Sequence, residues 1–177
     1  MPTSIITKKR IAKAFKILLE TEKFDKISIV DIMEEAGIRR QTFYNHFLDK
    51  YQLLDWIFET DLQEQITDNL DFISGRQLLK ELFLYFEVEK KFYVQLFDIK
   101  GQNNFYSFFI DYCYTVVEKI MKEYSLQANT IKDPSFIEFH KSYNAHALAE
   151  IVKSFVSCSI QMPKPDFIIY EITNQTI

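Results

Sequence analysis

The sequence predicts an all-α protein of about nine helices, on three observations. Glycine (3) and proline (4) are scarce in 177 residues, so long stretches hold no helix breaker. Apolar residues, 47% of the chain, recur at three- and four-residue intervals rather than in alternation. Where that rhythm lapses, a glycine, a proline or a polar run stands in its place.

A first helix is expected over Lys8–Glu22, with Thr7 as N-cap and Ile11, Ala14, Phe15, Leu18 and Leu19 on one face. Lys8, Lys9, Lys13 and Lys16 take the other face. Phe24 and Ile27 anchor the link to a second helix opened by Ser28, whose hydroxyl caps while Asp31 supplies a first-turn carboxylate. Ile29, Ile32, Met33 and Ala36 form its buried stripe, and Gly37 ends it, because glycine readily takes the left-handed conformation of a helix end. A third helix covers Arg39–Phe47, and Leu48 or Asp49 caps a fourth over Lys50–Asn69. Gly75 marks a break before a fifth, striped by Leu78, Leu79, Leu82, Phe83 and Phe86. A sixth spans Lys90–Phe97, a seventh Asn104–Tyr124 and an eighth Ser135–Cys158, with Pro134 in its first turn and Pro163 and Pro165 as stops. Asp166–Thr173 is a short final helix or turn.

Net charge is −4, which by itself argues against nucleic acid, but the charge is uneven. Residues 1–50 carry 10 Lys+Arg against 7 Asp+Glu, a net of +3; residues 51–177 carry 11 against 18, a net of −7. A basic head on an acidic body still orients towards phosphates, since the local field decides at close range. Cys113 and Cys158 lie in apolar stretches without CxxC spacing and are expected as buried free thiols of a reducing compartment. Neither a signal peptide nor a membrane span is visible, so a soluble cytoplasmic protein is expected.

The chemistry concentrates in ISIVDIMEEAGIRRQTFYNHFLDK, residues 27–50. It reads as two short helices around a tight turn at Gly37, a helix-turn-helix whose second helix carries DNA-binding groups. Arg39 and Arg40 can pair with guanine or with phosphates, and Gln41 can pair bidentately with adenine. Thr42 can bond a phosphate or touch a thymine methyl; Tyr44, Asn45 and His46 project to the flanks, with His46 also suited to a core-edge hydrogen bond. Lys50 can meet a phosphate beside the free amides at the start of the fourth helix. Phe43 and Phe47, four residues apart, dock the helix on the core.

These residues carry a resemblance. Ser28-Ile29-Val30-Asp31-Ile32, Ala36-Gly37-Ile38 and Thr42-Phe43-Tyr44-Asn45-His46-Phe47, followed by Lys50 and Leu53-Leu54, resemble the DNA-binding domain of the TetR/AcrR family. Gln41 departs from the glycine frequent there. The longer run Ile38–Phe58 is similar to a narrower group, the DhaS-type regulators of dihydroxyacetone kinase operons. The resemblance implies a helix-turn-helix DNA-binding domain at 1–50 and a larger helical domain for dimerisation and regulation at 51–177. It also implies backbone contacts by Thr42, Tyr44 and Lys50, a double-stranded DNA operator, and a homodimer joined through the last long helices. Here that points to Phe136, Phe139, Tyr143, Ala147, Ile151 and Phe155, a stripe that would otherwise be internal core. The narrower likeness implies an activator working with a dihydroxyacetone-kinase-like co-regulator docked on the acidic body. The alternative is a repressor released by its own ligand, in a pocket lined by Phe86, Tyr93, Phe97, Phe105, Phe109 and Tyr112; the same rings would equally serve as core.

Catalysis is not expected. HExxH, GxSxG and a glycine-rich phosphate loop are missing from the sequence. His140 and His146 lie about 600° apart around one helix, on different faces. No cofactor and no metal are expected.

Overall fold

The computed structural model describes residues 2–65, 72–99, 105–124 and 133–174. Among them the chain forms nine α-helices, one short 3-10 turn and no strand, an all-α protein as the spacing predicts. The residues group into two compact units, Met1–Asp61 with Lys91–Asn103, and Leu62–Lys90 with Asn104–Ile177. The sequence reading divides the chain after residue 50, whereas most of the fourth helix and most of the sixth group with the basic head.

The first unit holds α1 (Pro2–Leu19), the 3-10 turn Phe24–Lys26, α2 (Ile29–Glu35), α3 (Arg40–Phe43), most of α4 (Lys50–Gln65) and most of α6 (Lys90–Asp98). Ile11, Phe15, Phe24, Ile32, Phe43, Leu53 and Ile57 form its buried centre. α1 begins at Pro2 rather than Lys8, so Thr7 sits inside the helix; a proline is at home in a first helical turn. It stops at Leu19, short of Glu22. The corner beyond it is closed by a residue far away in sequence: the Gln95 side-chain amide donates to the carbonyls of Leu19 and Glu22, and its oxygen accepts the Phe24 N–H at 3.1 Å. Asp49 caps α4, its carboxylate accepting the Gln52 N–H at 2.8 Å, while the Gln52 side chain accepts the Leu48 N–H at 2.7 Å. The expected extension of α4 to Asn69 lies outside the described residues.

In the second unit α7 (Phe105–Tyr124) packs on α5 (Gly75–Val88), α8 (Pro134–Val156) and α9 (Pro165–Asn174), and α5 packs on α8 and α9. Gly75 begins α5 instead of breaking the chain, behind Ser74, whose hydroxyl accepts the Gln77 N–H. A side chain at Gly75 would meet Ile120 Cγ1 at 2.9 Å, and its N–H donates to the Glu123 carboxylate at 2.6 Å, so this glycine lets α5 close on α7. Phe83 meets Phe155 at 5.6 Å and Phe86 meets Phe109 at 5.4 Å between ring centres. Buried His140 donates Nε2–H to the carbonyl of Ile172 at 2.8 Å, tying α8 to the last turn of α9.

α8 ends at Val156, before the prolines expected to stop it. The stop is Cys158, in the left-handed region at φ 60°, with Cys158 N–H bonding Phe155 O and Ser159 N–H bonding Ser154 O. Cys158 is therefore exposed, contrary to expectation, while Cys113 is buried; both are free thiols. Among the described residues no helix is long and apolar enough to cross a membrane.

Candidate nucleic-acid interface

The interface begins with a cap. Ser28 Oγ accepts the Asp31 N–H at 3.2 Å and the Asp31 carboxylate accepts the Ser28 N–H at 2.8 Å, a reciprocal box that starts α2. The Ser28 amide, then its hydroxyl, holds the Asp31 carboxyl below the usual carboxylate range. The other end closes with equal economy. Gly37 has φ 62°, its N–H bonds Glu34 O at 2.9 Å, and the Ile38 N–H reaches back to Met33 O at 3.0 Å. That crossed pair ends a helix and turns the chain sharply, and it requires a left-handed residue where Gly37 stands.

α3 then starts at Arg40, with Arg39 extended at its N-cap position. It runs only to Phe43, shorter than the span to Phe47 expected from the periodicity, and continues as a turn in which His46 N–H bonds Phe43 O. Phe43 and Phe47 are buried with ring centres 5.6 Å apart, and Phe47 meets Trp56 of α4 at 5.8 Å. Lys8 of α1 covers both outer rings, 5.3 Å from Phe47 and 5.5 Å from Trp56. This inner packing fixes which way the other side chains face. Arg39, Arg40, Gln41, Tyr44 and Asn45 are exposed, and Thr42 and His46 are half-buried. Tyr44 rests edge-on against Phe43, 5.6 Å between centres, which stiffens an otherwise free ring.

Lys50, expected beside a phosphate, has protein partners of its own. Its ammonium points inward and donates to the carbonyls of Phe24 at 2.7 Å, Ile27 at 3.0 Å and Asp25 at 3.5 Å, over the Phe24 ring at 4.3 Å. Burial lowers its pKa, partly offset by Asp25. These bonds place Lys50 at the corner between α1 and α2, where it helps to position α2. Phe24 is thus gripped from both sides, its N–H by Gln95 and its carbonyl by Lys50. Sequence reasoning missed Gln95, whose partners lie more than 70 positions away and leave no local signal.

The stripe on α8 divides. Phe139 and Tyr143 are exposed with rings stacked 6.1 Å apart, and Phe136, Ala147 and Ile151 are half-buried. Phe155 is buried against Phe83 and belongs to the core of its own unit. On α9, Phe167 and Tyr170 are 63% and 62% exposed, a large apolar area the sequence reading did not single out.

The six rings considered for a ligand pocket are divided between the two units. Phe86, Phe105, Phe109 and Tyr112 fall in the second unit and close on one another, with centres 5.4, 6.1 and 6.3 Å apart. Tyr93 and Phe97 fall in the first unit, where Tyr93 meets Phe58 at 6.2 Å. A cleft of about 450 Å³ in the second unit is lined by Glu87, Lys90, Phe155, Cys158 and Met162 among others, and by none of the six.

Comparison with known proteins agrees with this architecture. The family model for a transcriptional regulator C-terminal region, TetR_C_8, matches residues 76–176. The chain is 37% identical over 156 residues to the HTH-type dhaKLM operon transcriptional activator DhaS of Lactococcus lactis subsp. lactis (strain IL1403), covering 88% of this chain and 82% of that protein. Among solved structures, the dihydroxyacetone kinase operon activator DhaS superposes with a TM-score of 0.76 at 34% identity, covering 97% of this chain and 94% of that one. A TetR transcriptional regulator from Streptococcus agalactiae 2603V shares the fold, with a TM-score of 0.70 at 20% identity, covering 99% and 96%.

Proposed function

The chain belongs to the TetR family of transcriptional regulators, and we propose that it binds a palindromic DNA operator as a homodimer and activates dihydroxyacetone kinase genes with a kinase-like co-regulator protein. The observation that carries the DNA-binding reading is the outward set Arg39, Arg40, Gln41, Tyr44 and Asn45 on a segment held from behind by Phe43 and Phe47. A short helix of this kind enters the major groove. There an arginine fork matches guanine O6 and N7, and a glutamine amide matches adenine N6 and N7. Half-buried Thr42 and the Tyr44 hydroxyl suit phosphate oxygens, contacts that set register without reading sequence.

The exposed aromatics of α8 and α9, Phe139, Tyr143, Phe167 and Tyr170, support a two-fold pair, which puts two recognition segments on one duplex. The likeness to a dhaKLM operon activator supports activation and the class of target genes. The net charge of −7 over residues 51–177 supports a docking surface for a partner protein.

Binding titrations on operator variants test the DNA reading. Gln41→Ala is expected to lose about 1–3 kcal/mol of discrimination at a single base-pair position of each half-site. Tyr44→Ala is expected to weaken binding to every variant alike. Wild-type titrations from both substitutions would reject the assignment.

A further inference from the structure

Lys50 is bonded to backbone carbonyls and Lys16 is paired with Asp61, so two cations of the first unit have partners within the protein. A different one is offered. Arg10, on α1, is exposed and makes no hydrogen bond or ion pair among the described residues. Its Nη2 lies only 3.0 Å from where a Cβ on Gly37 would stand, so the guanidinium rests against the turn that aims α3, two residues before Arg39. Five N–H donors lying beside that turn without an acceptor are suited to the oxygens of a phosphodiester.

We propose that Arg10 is a DNA-backbone contact, in which α1 supplies a phosphate clamp beside the recognition segment. This rests on the DNA-binding reading and adds to it a residue outside the helix-turn-helix. It also gives Gly37 a second role: besides allowing a positive φ, its lack of a side chain leaves the guanidinium its place. The competing role for Arg10 is structural, a cation drawn to the carbonyl end of α2. The two differ in salt dependence, because only a phosphate contact releases counterions from DNA.

The test uses the full chain and a duplex that the wild-type protein selects from a randomised oligonucleotide pool, titrated over a range of salt. If the wild-type protein selects nothing, the DNA-binding reading itself fails, and this proposal with it. With a selected duplex in hand, Arg10→Ala is expected to weaken binding on the order of tenfold. It should also lower the slope of log affinity against log salt by about 0.9 for each protomer bound. Single base-pair changes in the duplex should retain their relative effects, and Arg10→Lys should restore most of the slope. An unchanged slope for Arg10→Ala, with or without a loss of affinity, overturns the proposal. So does an equal slope change from Lys13→Ala, one turn along α1, since that would report a diffuse field instead of a contact.

Discussion

Phe43→Ala is expected to destabilise the first unit by about 3–5 kcal/mol and to abolish operator binding at concentrations where the wild-type protein is saturated. Phe43 is fully buried, and its ring meets Tyr44 and Phe47, so the truncation removes the floor on which the recognition segment lies. α3 is only four residues long, too short to persist on its own hydrogen bonds, and its order comes from this packing. Trp56, the single tryptophan of the chain, sits 5.8 Å from Phe47, so its fluorescence in a urea titration reports on this unit. An unfolding midpoint within error of wild type would show that Phe43 does not anchor the segment.

Lys50→Met is expected to cost about 2–3 kcal/mol in the same fluorescence titration, because three carbonyls lose a charged donor while the aliphatic stem is retained. Operator binding should weaken as the corner between α1 and α2 loosens, yet the salt slope should stay at the wild-type value, since no phosphate contact is lost. A lowered slope with unchanged stability would return Lys50 to the DNA-contact set and remove it from the corner. Arg10 and Lys50 thus make opposite expected signatures within one small unit.

What the sequence made legible was local. Ser28 with Asp31 and Gly37 with Ile38 form their bonds within a few residues, so composition at fixed offsets specifies them. Lys50, Gln95 and Gly75 take their roles from partners tens of residues away, which no periodicity encodes. The α8 stripe failed at Phe155 for a geometric reason. Each four-residue step overshoots a full turn by about 40°, so four steps from Phe139 rotate the stripe by about 160°. Its far end therefore faces the interior, where Phe83 receives it. The early end of α8 followed from Cys158 adopting a conformation that cysteine rarely takes, which a search for glycine and proline overlooks. Helical spacing marks the aromatic set as pocket or core alike, and it does not reveal that Tyr93 and Phe97 group with the first unit while Phe86, Phe105, Phe109 and Tyr112 group with the second.

Selection of duplexes from a randomised pool by the full chain, followed by hydroxyl-radical footprinting of the selected site, decides whether the exposed face of α3 reads DNA in a two-fold pair. The expected result is an inverted repeat protected by one dimer, with half-site centres about 10–10.5 base pairs, or a multiple of that, apart. A consensus without two-fold symmetry, or no consensus at all, would contradict it.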